Sequence, residues 1–141
     1  MNLPNEVFVD TSFFIALLNS KDKFHHKAIT LQKQLSANKT KKITSEYVLL
    51  EVGDGLSSLR FRYLAVQILE LIYQDNSFEI VPTSSEIFTK ALKLFKTRPD
   101  KEWGMTDCTS FIIMWDFMLD AALTADYHFQ QARFRALLLE P

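Results

Sequence analysis

Four acidic residues stand in apolar surroundings, far apart along the chain: Asp10 in FVDTSFF, Glu51 in LLEV, Asp107 in MTDCTSF and Asp126 in LTADYHF. Scattered over four separate places, each would carry its own desolvation penalty. Gathered at one place without a cation, they would repel. Two carboxylates about 5 Å apart cost on the order of 3 kcal/mol at an effective dielectric of about 20. A divalent ion reverses that sign. Mg2+ and Mn2+ favour oxygen donors, keep several waters, and are held by a few carboxylates together with substrate phosphate. Four acids without a histidine or cysteine ligand set therefore point to hard-metal phosphate chemistry. A local reading competes with this. Taken singly, Asp10, Asp107 and Asp126 are each explained as helix N-caps, at about 1 kcal/mol apiece. Glu51 reads equally as part of an exposed stripe with Asp54.

Convergence requires elements that carry these residues to one edge. Glu6 to Asp10 reads as a strand, followed by a short buried helix over Phe13 to Leu18. Phe24, Ala28, Leu31 and Leu35 mark one face of an amphipathic helix. Lys39 to Lys42 reads as a basic loop into a short strand at Ile43 and Thr44, and the helix from Ser45 weakens at Gly53 and Gly55. Leu59, Tyr63, Val66, Leu69, Ile72 and Tyr73 fall at helical spacing, and Phe78 to Val81 is a third strand. Ser84 or Ser85 starts a helix with Ile87, Ala91, Leu94 and Phe95 on one face, ended by Pro99. Thr106 to Met118 is apolar on all sides, as a buried helix is. Ala121 to Ala125 is a fourth strand, Asp126 to Arg133 a short helix, and Ala136 to Leu139 a last strand.

Short strands alternating with helices imply an α/β fold: a three-layer α/β/α sandwich around a mostly parallel sheet of about four to five short strands. Ligands in such folds bind outside the carboxyl ends of the strands, where strand order reverses. Asp10 and Asp126 end strands, and Asp107 starts the most buried helix, so all three are expected on that edge.

The 141 residues suit a single domain, 1–141, and 48% hydrophobic content supports a core. A lone cysteine, Cys108, excludes an internal disulfide or a Cys-rich zinc site and fits a reducing compartment; it reads as a small core residue. The longest uncharged stretch, Thr11 to Ser20, is far short of a membrane span, and MNLPNE lacks the basic start of a signal peptide, so a cytoplasmic location is expected. Three glycines and four prolines argue against an all-β sandwich, and no glycine-rich phosphate loop occurs. A net charge of −1 offers no whole-molecule attraction to nucleic acid. Any such partner would need local patches: Lys39, Lys41 and Lys42; Arg60 and Arg62; Arg133 and Arg135. Trp103 reads either as a base-stacking aromatic or as core. His25 and His26 are adjacent on a helix, point about 100° apart, and cannot clasp one zinc ion. His128 follows Asp126 closely and could approach the acids, though hydrogen bonding within the last turn is the stronger expectation.

The blocks VDTSFFIALL, TSEYVLLEV, MTDCTSFIIM and ALTADYHFQQARF, in that order, resemble the motif blocks of PIN-domain ribonucleases, in particular the VapC-type toxins of toxin–antitoxin pairs. The likeness spans nearly the whole chain. It implies that Asp10, Glu51, Asp107 and Asp126 match an acidic quartet holding one or two Mg2+ or Mn2+ ions. Thr11, Ser12, Thr106 and Thr124 match the hydroxyl positions beside those acids, and Thr11, Ser12 and Thr106 are expected to orient the carboxylates. It further implies hydrolysis of RNA to 5′-phosphate products, a small antitoxin partner that occludes the acids with an Arg or Lys, and a homodimer formed through aromatics such as Phe61 and Tyr63. One departure is Ala132-Arg133, where such sequences often have Ala-Gly, and an altered turn is expected there. Three other readings stay open. One is a housekeeping nuclease; another is an inactive RNA- or partner-binding module. The third is an aspartyl-phosphate enzyme using Asp10, which lacks a late lysine (the last is Lys101) and has Ser12 where a second Asp is wanted.

Overall fold

The computed structural model describes residues 2–141. Five strands, β1 (Glu6–Val9), β2 (Lys41–Ser45), β3 (Phe78–Val81), β4 (Ala121–Leu123) and β5 (Arg135–Ala136), form one sheet in the order β3-β2-β1-β4-β5. Every neighbouring pair is parallel. Parallel pairing demands a crossover after each strand, and helices supply it: α1 (Thr11–Leu18), α2 (His25–Ala37), α3 (Glu46–Gly55), α4 (Arg62–Gln74), α5 (Ser85–Thr97), α6 (Met105–Asp116) and α7 (Tyr127–Gln131). The chain is thus the expected three-layer α/β sandwich.

Alternation along β1 sets the layers, because successive side chains point to opposite faces. Phe8 faces α7, its ring 6.5 Å from that of Phe129, which in turn meets Phe111 of α6 at 5.0 Å. On the other face, Phe78 stacks on Phe14 of α1 at 6.1 Å. Phe8, Phe13, Phe14, Phe111 and Phe129 are all fully buried, each contributing about 2–3 kcal/mol by leaving water. Strand order reverses between β1 and β4, so the crevice of such a fold opens where Val9 and Leu123 end their strands.

Several boundaries differ from the sequence reading. Lys41 and Lys42 lie inside β2, not in a loop, because β1 and β3 pair with them. The last strand stops after Ala136, and Leu137–Leu139 forms a single 3₁₀ turn with Leu137 and Leu138 buried. An apolar run without alternation packs in either form. Leu59 precedes α4 and is 93% exposed; the core side of that helix is Ala65 and Ile72, while Tyr63, Val66 and Tyr73 point outward. Helix α6 is not buried all round, since Trp115 is half-exposed, and Phe95 of α5 also faces solvent.

Helices α2, α6 and α7 end alike. Lys39, Met118 and Arg133 adopt left-handed backbone (φ 55°, 54° and 72°). The amide one residue further on, of Thr40, Leu119 or Phe134, closes on the carbonyl of Leu35, Met114 or Phe129 at 2.8–3.0 Å. This helix-terminating turn normally uses glycine. Arg133 therefore does not alter the turn; it adopts the glycine conformation and delivers the chain to β5.

Candidate active site

Asp10 follows β1 with extended backbone and starts α1, yet its side chain makes no capping hydrogen bond. It turns across the β1–β4 crevice. Thr124, just past β4, donates its hydroxyl to Asp10 Oδ2 at 2.8 Å. The Ser12 hydroxyl lies 3.2 Å from the same oxygen and 3.1 Å from Thr124 Oγ1. Ser12 Oγ and Thr124 Oγ1 accept the backbone amides of Ala125 and Asp126 at 2.9 and 3.0 Å. This hydroxyl pair ties the end of β1 to the end of β4 and fixes Asp10 relative to Asp126.

Helix α3 leaves the carboxyl end of β2, where Ser45 caps it by accepting the Val48 amide. Glu51, in its second turn, is exposed but held, because Thr11 Oγ1 donates to Glu51 Oε1 at 2.6 Å. Helix α6 precedes β4 and returns antiparallel to it, so its first turn lies over the same edge. There Asp107 Oδ2 accepts the Gly104 amide at 3.1 Å. Asp126 does act as a cap, accepting the His128 amide at 2.9 Å. The His128 imidazole reaches both helices: Nδ1 is 3.1 Å from Asp107 Oδ2 and 3.3 Å from Asp126 Oδ1.

The acids feel one another. Burial pushes the Asp10 carboxyl up to about 7; the Thr124 hydroxyl opposes this, and the charges of Asp107 and Glu51 add to it. Asp107 is also raised, by burial first and then by Asp126. Among the described residues no lysine or arginine pairs with any of the four. A partly buried, uncompensated set of hard oxygen donors fits a divalent cation.

The other candidate residues divide by position. Thr106 contributes its carbonyl, which accepts the Thr109 hydroxyl at 2.6 Å; among the described residues its own hydroxyl is bonded to none of the acids. Lys39, Lys41, Lys42, Arg133 and Arg135 lie toward the amino ends of the strands, opposite the acids. Arg60 and Arg62 flank the start of α4; Arg60 rests over Phe61, and Arg62 donates to the Ser57 carbonyl. Trp103 is buried beneath Arg98 and donates Nε1–H to Gln131, so it is core and not a stacking platform. His25 bonds the Ala16 carbonyl through Nδ1. Cys108 is buried and its thiol is pushed up to about 11, first by burial and then by Asp107. His128 is the residue that sequence reasoning underrated; its one signal was a place two residues after an acid.

A sequence model of the PIN domain family matches residues 7–134. Among solved structures, the chain is similar to Mycobacterium tuberculosis VapC20, a toxin that cleaves the sarcin–ricin loop. The TM-score is 0.79 and the identity 28%, covering 91% of this chain and 95% of that one. It is also similar to FitAcB from Neisseria gonorrhoeae, with a TM-score of 0.64 and 18% identity over 92% of this chain and 94% of that one. At that identity the second likeness is one of fold. No curated protein sequence matches.

Proposed function

The chain belongs to the PIN domain family, and from that premise we propose that it is a metal-dependent endoribonuclease serving as the toxin of a toxin–antitoxin pair. The observation that supports this reading is the chain of mutual repulsion among the acids, Glu51 and Asp107 on Asp10 and Asp126 on Asp107, with none of the four paired to a lysine or arginine among the described residues.

Asp10, Asp107 and Asp126 would hold Mg2+ or Mn2+, directly or through water, and Glu51 would orient the attacking water or hold a second ion. An ion held by these residues would supply hydroxide at neutral pH and would stabilise charge on the phosphate and the leaving 3′ oxygen. Ser12 and Thr124 aim the Asp10 carboxylate, and Thr11 aims that of Glu51. Asp10 holds a proton up to about pH 7, so loading the site releases protons and tightens as pH rises. Arg60 and Arg62, on the segment after the helix that carries Glu51, are the cations assigned to the substrate backbone. Lys39, Lys41, Lys42, Arg133 and Arg135 would touch only RNA that extends past the far edge. The partner is a small antitoxin whose Arg or Lys would lie among the acids. A homodimer would use the outward face of α4, where Tyr63 is 72% exposed.

The test is RNA cleavage with and without Mn2+ in wild type and Asp107→Asn. Shortened RNA that needs both the ion and Asp107 supports the reading. RNA shifted but never shortened, or cut equally by Asp107→Asn, overturns it. Growth arrest on expression, relieved by Asp10→Asn, tests the toxin role; unimpeded growth with active enzyme removes that role.

A further inference from the structure

We infer that His128 is a nitrogen ligand of the ion held at this acidic edge, giving the site a preference for Mn2+ over Mg2+; the inference rests on the metal-dependent reading above. Asp107, Asp126 and His128 each present a donor atom, and all three lie within 4.8 Å of one another. Two spacings are more telling: Nδ1 to Asp107 Oδ2 is 3.1 Å and Nδ1 to Asp126 Oδ1 is 3.3 Å. Ligands at right angles, each about 2.1 Å from an octahedral ion, are about 3 Å apart. The imidazole nitrogen, hydrogen-bonded to Asp107 in the free protein, thus already stands near neighbouring-ligand spacing from each of the two carboxylate oxygens.

The ring is held in that place. His128 sits in the first turn of α7, its amide bonded to Asp126 and its side chain only 17% exposed, with the Tyr127 ring 4.6 Å away. It comes from the same short segment as Asp126 and reaches across to Asp107 on another helix, so it touches both acids that flank it. Coordination uses the lone pair of Nδ1, and the neutral ring then keeps its hydrogen on Nε2. Mg2+ takes oxygen almost exclusively, whereas affinity for a mixed nitrogen and oxygen site rises from Mn2+ through the later divalent ions. A purely positioning imidazole would support both ions equally.

Pulsed EPR of the Mn2+-loaded wild-type protein is the direct test, since a coordinated imidazole gives a nitrogen coupling. The coupling is expected in wild type and absent from His128→Asn, which also separates His128 from His25 and His26. Calorimetric titration with each ion alone should show Mn2+ affinity falling by about tenfold in His128→Asn, with Mg2+ affinity changed by less than about twofold. His128→Gln serves if the Asn variant folds poorly, and the wild-type spectrum needs no variant. A wild-type spectrum without nitrogen coupling, or equal losses for the two ions, overturns the inference. If such a protein still cleaves RNA with Mn2+, only the ligand assignment falls. If wild type neither binds Mn2+ nor cleaves, the ribonuclease reading falls with it.

Discussion

At the carboxyl ends of the strands, Asp10 feels the charges of Asp107 and Glu51, and Asp107 that of Asp126, with hydroxyls and one imidazole bonded among them, whereas at the amino ends carboxylates meet cations. There Lys41 contacts Glu79 at 2.7 Å, and Arg135 grips Glu140 through two hydrogen bonds of 2.9 and 2.8 Å. The same functional group responds in opposite directions. The Arg135 guanidinium holds Glu140 below its ordinary range, while burial and neighbouring acids push Asp10 up to about 7. One edge is electrostatically complete in the free protein. At the other, Asp10 and Asp107 carry raised carboxyls with no lysine or arginine paired to them among the described residues, the kind of perturbation that clusters at functional sites.

The largest effect that should separate the edges is on chemistry. Asp10→Asn removes the charge but keeps an oxygen for the Thr124 hydroxyl, and is expected to lower Mn2+-dependent RNA cleavage by ~10³-fold or more. The same variant should be the more stable protein without metal. From pH 3.8 to about 7 the native Asp10 keeps a proton that the unfolded chain has released, so stability falls as pH rises through that window and levels off above it. At about 1.4 kcal/mol per pH unit, the whole shift corresponds to about 4 kcal/mol. Denaturant unfolding in chelator should show wild type more stable at pH 5 than at pH 8, with Asp10→Asn losing most of that difference. Asp107, raised in the same direction, accounts for the remainder. Glu140 acts oppositely, its contribution present above pH 4.5 and lost on acidification below it. A wild type that weakens steadily from pH 8 to pH 5 would erase the contrast between the edges.

The contrast also marks what the sequence carried. Strand–helix alternation gave the layers, and an acid directly after the run Val7-Phe8-Val9 gave Asp10, because that strand end is visible in side-chain type; Asp126 was read as ending a strand that in fact stops at Leu123. The role of Asp10 was not visible. N-capping and a carboxylate bonded across a crevice look identical in sequence, and only the pairing of β1 with β4 brings Thr124 to it. His128 stayed hidden for a related reason, since its contact with Asp107 joins residues on different helices. At the opposite edge, the turns at Lys39, Met118 and Arg133 carry no glycine, so their usual sequence mark is missing. Lys41 and Lys42 read as loop because their charge outweighed a β2 pairing that nothing local reveals.

Smaller effects belong to the paired edge. Arg135→Ala removes the Glu140 pair and a bond to the Asn2 carbonyl. It should cost up to about 1 kcal/mol, as partly exposed pairs do, and leave cleavage of a short RNA unchanged. The smallest effect concerns the turn that presents Arg135 to the sheet. Arg133 holds φ 72°, a conformation costing an L-residue about 1–2 kcal/mol. Glycine relieves that strain but gains roughly 0.5–1 kcal/mol of unfolded-chain freedom. Arg133→Gly should therefore stabilise by about 0.5–1 kcal/mol with no change in cleavage of a short RNA. Arg133→Ala is the control, because alanine keeps the strain and discards the side chain. Chemical denaturation of the pair separates backbone from charge. A gain in Arg133→Gly alone places the cost in the backbone, whereas equal gains in both would mean that the guanidinium itself was unfavourable at this edge.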